Sequence, residues 1–421
     1  MPVLTILSYV ARELLSSLIL NYKLVPVYII IILLIKTQYE RHRELNTDHN
    51  TNFLKSLWEI FEETIFFGIV VGFIAGFIMV SIGITLDSKV FEYLLMIMAF
   101  LMLFNIRFIC LSYAAGLLAL ISIVFHLPGI NVTHLLALIA IVHLFEGILV
   151  LAGAGKDCMP VYIKYDTGIA GAFLTKRFWP VPIIFLTFIT QQYGNIIKES
   201  IEVNWWTLFN PEIAGTGTIA ALGLDCAISV LCYTDIAITK QPDKKSREMG
   251  IQFLLYSVIL FLIAVFSRYI YFFKIIGAVF AIVTHEFIVL YSRYRERHGT
   301  PMFVPVRRGI RVLDIPIESH AFKMGMKRGD IILSINGKDV QTEDGIAEAL
   351  RDFPTFIWID AVDVYGKKKE YEYKCYPKGI NNLGVMIIPR ESEVTYNIDY
   401  YENYSVIKNL VRRFRGNSRS I

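Results

Sequence analysis

His285-Glu286 is the pair whose spacing comes nearest to hydrolytic chemistry, and it is incomplete. A zinc-dependent protease needs two histidines one helical turn apart, a glutamate base and a distant aspartate ligand, so that the metal keeps one position for water. The run here reads His285-Glu286-Phe287-Ile288-Val289, without a second histidine, and Asp225 in Leu224-Asp225-Cys226 precedes the pair. His143 and Glu146 are three residues apart on one helical face, with His134 on a nearby face some turns earlier. Such a set is suited to a metal or a proton, although ionisable groups in apolar helices more often bond to neighbouring helices. Asp225 and Asp235, ten residues apart, would share a helical face and with Glu146 could line an ion path. No G-x-S-x-G elbow stands in a suitable context, and no Walker-type phosphate loop is present. The expectation is therefore a chain with no catalytic residue, no metal and no cofactor.

The elements around these residues are apolar. Of 421 residues, 55% are hydrophobic and only 19% charged, with a mean hydropathy of +0.52, which points to a polytopic membrane protein. Candidate spans are Val3–Leu20, Leu24–Ile35, Ile65–Ile84, Val90–Asn105, Phe108–Phe125, Thr133–Leu151, Phe178–Thr190, Ile213–Cys232, Ile251–Phe266 and Tyr269–Tyr291, several of them short for a ~30 Å hydrocarbon core. Gly68, Gly72 and Gly76 recur every four residues, a stripe suited to close helix packing. Arg12 and Glu13 interrupt the first apolar run, so no cleavable signal peptide is expected. Five cysteines, three of them inside apolar runs, argue against a disulfide framework. A net charge of +4, dispersed along the chain, gives no footprint for nucleic acid.

Basic residues accumulate in short cytoplasmic loops, so three clusters should share one side. They are Lys36/Arg41/Arg43, Lys240/Lys244/Lys245/Arg247 and Arg293/Arg295/Arg297 with Arg307/Arg308. Six candidate spans separate the first from the second and two the second from the third, so all three fall on the cytoplasmic face. The loop Lys156–Arg177 then comes out cytoplasmic and the loop holding Lys198, Glu199 and Glu202 external.

Beyond about residue 292 the charge density is that of a soluble domain. Ala321–Val340 reads AFKMGMKRGDIILSINGKDV, in which Gly325 and Gly329 suit chain reversals, Ile331, Leu333 and Ile335 alternate as a strand, and Asn336-Gly337 is a hairpin dipeptide. Asp330 is placed to cap the turn before that strand. The ordered string resembles the core of PDZ domains, which are peptide-binding modules. Around it, Gly309–Ile315 reads as a strand, Thr342–Phe353 as a helix capped by Thr342, and Phe356–Val364 and Lys369–Cys375 as strands joined at Tyr365-Gly366. Asn382-Leu383-Gly384-Val385-Met386-Ile387-Ile388 resembles the loop and edge strand with which PDZ domains hold a peptide, but it follows the core, an order similar to the circularly permuted PDZ domains of bacteria. That resemblance makes Asn382, Leu383, Gly384, Val385, Met386, Ile387 and Ile388 the expected peptide-binding residues, with amides near Leu383-Gly384 receiving a carboxylate and Leu383 facing the ligand.

The expected layout is a multi-span helical membrane domain (1–292), a connector (293–305), a small α+β PDZ-like domain of the permuted bacterial type (306–390) and a cytosolic tail (391–421). In that tail Val406, Ile407, Leu410, Val411 and Phe414 have helical spacing beside Arg412, Arg413 and Arg415, a pattern suited to an anionic membrane surface or to packing on the preceding domain. The segment YERHRE, the run Arg107–Gly116 (RFICLSYAAG), the His143-Leu144-Phe145-Glu146-Gly147 stretch and Lys176-Arg177-Phe178-Trp179-Pro180-Val181-Pro182, followed by one C-terminal PDZ core, resemble the MinJ family of division-site determinants in Firmicutes. That resemblance implies a non-enzymatic septal or polar scaffold in the bacterial cell membrane, bridging DivIVA to MinD and through it MinC. The alternative is a PDZ-containing regulator or subunit of a membrane protease or transporter.

Overall fold

The computed structural model describes residues 2–20, 53–153, 155, 158–165, 168–188, 201, 203–210, 222–317 and 319–390. The candidate span Leu24–Ile35, the first basic cluster, Lys198, Glu199, Glu202 and the tail lie outside the described residues. Seven long helices precede residue 300 among the described residues: α1 (Pro2–Leu20), α2 (Phe53–Ile82), α3 (Ser88–Phe104), α4 (Leu111–Phe125), α5 (Val132–Gly153), α6 (Pro242–Ser267) and α7 (Phe272–His298). Two of their starts follow ordinary helix-start chemistry. Asp87 accepts from the Lys89 amide at 2.9 Å to open α3, and Pro242 opens α6 where its missing N–H costs nothing. Among the described residues, four helical stretches are long and apolar enough to cross a membrane: Glu62–Ile82, Val132–Gly153, Pro242–Ser267 and Phe272–His298. α5 is buried on nearly every side, and the ionisable residues it carries, His134, His143 and Glu146, are buried with it.

Two of the expected spans are not helices. The described parts of Phe178–Thr190 and of Ile213–Cys232 belong to strands of an antiparallel sheet, β1 (Met159–Tyr165), β2 (Gly168–Phe188) and β3 (Leu222–Ala237), in the order β1-β2-β3. β2 pairs with β3 from Phe173↔Ala237 to Phe188↔Leu222 without a break. Pro180 and Pro182 deny a helix two hydrogen bonds, and Val181, Ile183, Ile184 and Thr187 are β-branched residues that suit an extended chain. Because β2 is buried on both faces, it reads as a continuous apolar run, which periodicity alone cannot tell from a span.

The glycine stripe explains how this strand is held. A Cβ added at Gly68 would collide with the Pro180 carbonyl oxygen, one at Gly72 would lie 2.5 Å from that of Pro182, and one at Gly76 2.9 Å from the Ile184 Cβ. Four helical residues rise about 6 Å and two strand residues about 6.6 Å, so every fourth position of α2 meets every second position of β2. The stripe is a packing surface, as its residue types imply, but its partner is a strand.

The C-terminal domain contains β4 (Ile310–Asp314), α8 (His320–Lys323), β5 (Ile331–Ile335), β6 (Lys338–Asp339), α9 (Glu343–Ala349), β7 (Phe356–Val362), β8 (Lys368–Lys374) and β9 (Met386–Ile387). The sheet order is β8-β7-β5-β4-β9, with β6 on β5. Asn336 (φ 50°) and Gly337 (φ 75°) form the hairpin turn their types demand. Asp330 accepts from the Lys327 amide at 2.9 Å and from the Tyr371 hydroxyl at 2.6 Å, which joins the turn before β5 to β8. One core, including Val312, Ala321, Ile332, Ile335, Ile357, Ile359, Ile380 and Leu383, fills the interior. All five cysteines are free.

Candidate peptide-binding site

β9 forms the outer edge of the C-terminal sheet. Val312 opposes Ile387 and Asp314 opposes Met386, with an irregularity between them. The Ile388 amide donates to the Arg311 carbonyl at 3.0 Å, so strand alternation turns the backbone of Ile387 toward the outside of the sheet. An outward-facing N–H and C=O on an edge strand are what an extended peptide pairs with. α9 packs into the same core, its Thr342 cap accepting from the Gly345 amide at 3.2 Å and its Ile346 buried together with Leu350, Leu383 and Ile387.

The loop before β9 is built differently from the sequence expectation. The Gly384 amide donates to the Asn382 side chain at 2.8 Å and is already engaged. Leu383 is fully buried and its carbonyl accepts from the Ala321 amide at 3.0 Å, so this side chain is a core anchor and does not face a ligand. Gly384 adopts φ +67°, and a Cβ there would meet the Ser319 Cβ at 2.6 Å, which fixes glycine at the close approach of loop and helix α8. Of the seven expected residues, Asn382 is exposed, Gly384, Val385 and Met386 are half-buried, and Ile387 and Ile388 point into the protein.

Residues 317–358 match the PDZ domain family model. Among solved structures, the PDZ domain of an SdrC-like protein from Listeria monocytogenes matches at 16% identity over 20% of this chain and 90% of its own, with a TM-score of 0.17. Among curated proteins none matches the chain.

The PDZ domain does not hang free. The connector leading into it is pinned first: the Gly171 amide donates to the Phe303 carbonyl at 2.7 Å, the Met302 amide to the Ile238 carbonyl at 2.9 Å and the Tyr165 hydroxyl to the Gly299 carbonyl at 2.9 Å. Cys158, Phe173, Ala237, Phe303, Leu313 and Ile388 form a shared apolar cluster. Arg328 lies over the Phe173 ring at 5.0 Å and pairs with Asp314 at 2.5 Å. Burial pushes the neighbouring Cys158 thiol up to about 12, so the guanidinium faces a neutral sulfur. Most relevant to the groove, the Tyr162 hydroxyl of β1 donates to the outward carbonyl of Ile387 at 2.7 Å. One backbone acceptor that a peptide strand would use is thus held by the neighbouring sheet. Nothing in the residue types around Tyr162 marks this contact, because it joins positions far apart in the chain.

Elsewhere the structure separates some candidate residues and gathers others. Glu286 accepts from Arg107 at 2.6 Å and from the Tyr113 hydroxyl at 2.5 Å, and so is neutralised in an ion pair. His134 Nδ1 accepts from the Thr85 amide at 2.8 Å, apart from His143. Asp225 and Asp235 lie on β3, not on a helix. Asp235 sits 3.7 Å from Lys245, which also pairs with Glu296 at 3.2 Å and bonds to Ser292. His143 does keep Glu146, at 3.6 Å, and is joined by His285 and Cys110, a cysteine passed over because no nearby residue in sequence completes its set.

Proposed function

We propose that this protein is a membrane-anchored adaptor that recruits partner proteins through a cytosolic PDZ domain, acting in division-site selection as a MinJ-like determinant between DivIVA and MinC/MinD. The observation that carries this reading is a PDZ domain matched over residues 317–358 at the end of a region with four helices long and apolar enough to span a bilayer. The partner offers an extended segment that adds alongside β9, and the order of β9 after the core is that of a permuted PDZ domain. No catalytic role is assigned, since Glu286 is committed to Arg107 and Tyr113.

A cytosolic placement is supported by charge. Two of the six apolar segments between the first and second basic clusters are a strand pair, and removing a pair leaves an even number of crossings, so the clusters still share a side. The test is a fluorescent fusion imaged in dividing cells, with and without residues 306–390, together with recovery of division proteins from detergent extracts. Enrichment at septa and partner recovery that both depend on the PDZ domain are expected. Uniform membrane fluorescence with unchanged recovery after the deletion would reject the adaptor role.

A further inference from the structure

We infer that Cys110, His143 and His285, with Glu146 beside them, form a transition-metal site of the zinc class that ties helices α4, α5 and α7 together. The three residues come from distant parts of the chain: Cys110 opens α4, His143 is in the middle of α5 and His285 in the middle of α7. Cys110 Sγ lies 3.2 Å from His143 Nε2 and 3.5 Å from His285 Nε2, and the three ligand atoms lie within 4.8 Å of one another. A tetrahedral zinc ion with sulfur at about 2.3 Å and nitrogen at about 2.0 Å separates its sulfur and nitrogen ligands by roughly 3.5 Å, which the two sulfur–nitrogen distances already match.

The surroundings support ligation over an ordinary hydrogen-bonded cluster. His143 Nδ1 bonds to the Ile139 carbonyl at 2.9 Å, which makes that nitrogen the N–H and leaves the Nε2 lone pair directed at the sulfur. His285 Nε2 faces the same sulfur, while its Nδ1 is buried without a partner. The ring is held by Phe253, stacked at 5.8 Å, and by the edge of Tyr113 at 5.0 Å. Both histidines are at most 5% exposed, and so is Glu146, whose carboxylate lies 3.6 Å from His143 Nε2. An acidic group buried among apolar helices needs a compensating charge. A divalent ion bound by a thiolate, a carboxylate and two neutral imidazoles is electrically neutral as a unit, which removes that cost. A soft sulfur with two imidazoles favours zinc or copper over magnesium or calcium. Cys110 is the partly exposed member and directly follows the turn Ile106–Ile109. Glu146, 3.6 Å from His143 Nε2, would be the fourth donor and close the site, so the role we assign is structural.

Full-length protein in detergent, stripped with a chelator and reloaded with Co2+, tests the assignment. The expected result is one cobalt per chain, the strong visible bands of a four-coordinate ion and a thiolate-to-metal charge-transfer band in the near ultraviolet. Cys110→Ser should remove the charge-transfer band and weaken cobalt binding roughly 100-fold or more, while a variant keeping Cys110 as its sole cysteine should retain the band. Chelation should also lower the unfolding temperature of the wild type but not of Cys110→Ser. Absence of the charge-transfer band in the folded wild type, its persistence in Cys110→Ser, or its loss from the sole-Cys110 variant would overturn the proposal. Because no step of the test uses the PDZ domain, its failure leaves the adaptor reading standing, and the converse also holds.

Discussion

Leu383 shows how far residue types alone can be trusted in this chain. A leucine before a glycine in a loop leading to an edge strand reads as a ligand contact, yet it is the fully buried core residue on which the loop is hung. Leu383→Asp is therefore expected to unfold the PDZ domain, at a cost of roughly 3 kcal/mol or more, because a carboxylate would enter an apolar core without a partner. Urea denaturation of a 299–390 fragment, followed by Trp358, the one tryptophan in that segment, would measure it. Val385→Asp is the cleaner probe of the groove. That side chain is half-buried at the margin of the core, so the fragment should stay folded while partner binding falls about tenfold, as read by calorimetry. Gly325, Gly329, Asn336, Gly337 and Asp330 were legible in sequence because each answers a local backbone demand. Cys110 and Tyr162 were not, since their partners lie more than thirty and more than two hundred residues away.

At the scale of elements, helices and strands were legible to different degrees. α3 and α5 begin and end near the limits that apolar length implies, whereas α6 starts nine residues earlier and α7 ends seven residues later, each continued by polar turns that apolar length does not mark. β2 and β3 were hidden, because a strand covered on both faces loses the alternation that would reveal it; the two prolines carried the only local signal. The fit of Gly68, Gly72 and Gly76 against β2 makes a sharp prediction. Gly72→Val would drive its side chain into the Pro182 backbone and ring, and should destabilise the helical region by about 3 kcal/mol or more, seen as a lower unfolding temperature of the detergent-solubilised protein. Where two elements compete for one acceptor, the effect has the opposite sign. Tyr162→Phe removes the hydroxyl that occupies the Ile387 carbonyl, and peptide affinity measured by fluorescence anisotropy should rise about fivefold, the equivalent of one hydrogen bond of about 1 kcal/mol. An unchanged affinity would place the peptide elsewhere on the domain.

For the whole molecule, the proposed orientation is checked by replacing Tyr365, exposed on the β7–β8 turn, with cysteine. An impermeant thiol reagent should leave Tyr365→Cys unlabelled in intact cells and label it after permeabilisation; labelling in intact cells would reverse the topology. The division into an apolar helical region and a charged terminal domain was legible from composition, but the seam between them was not. That seam is double. The chain passes from α7 through the connector into the PDZ domain, while Tyr162 of β1 and Phe173 of β2 grip the same domain through Ile387, Leu313 and Arg328. A tug on the PDZ domain by a bound partner would therefore load two members in parallel, and the polypeptide link alone would bear tension only after the sheet contacts had sheared. Pulled by its C-terminal end, the protein should yield in two steps, a first rupture at the seam and a later extraction of α7, so that a recruited partner can strain the anchor appreciably before the anchor lets go.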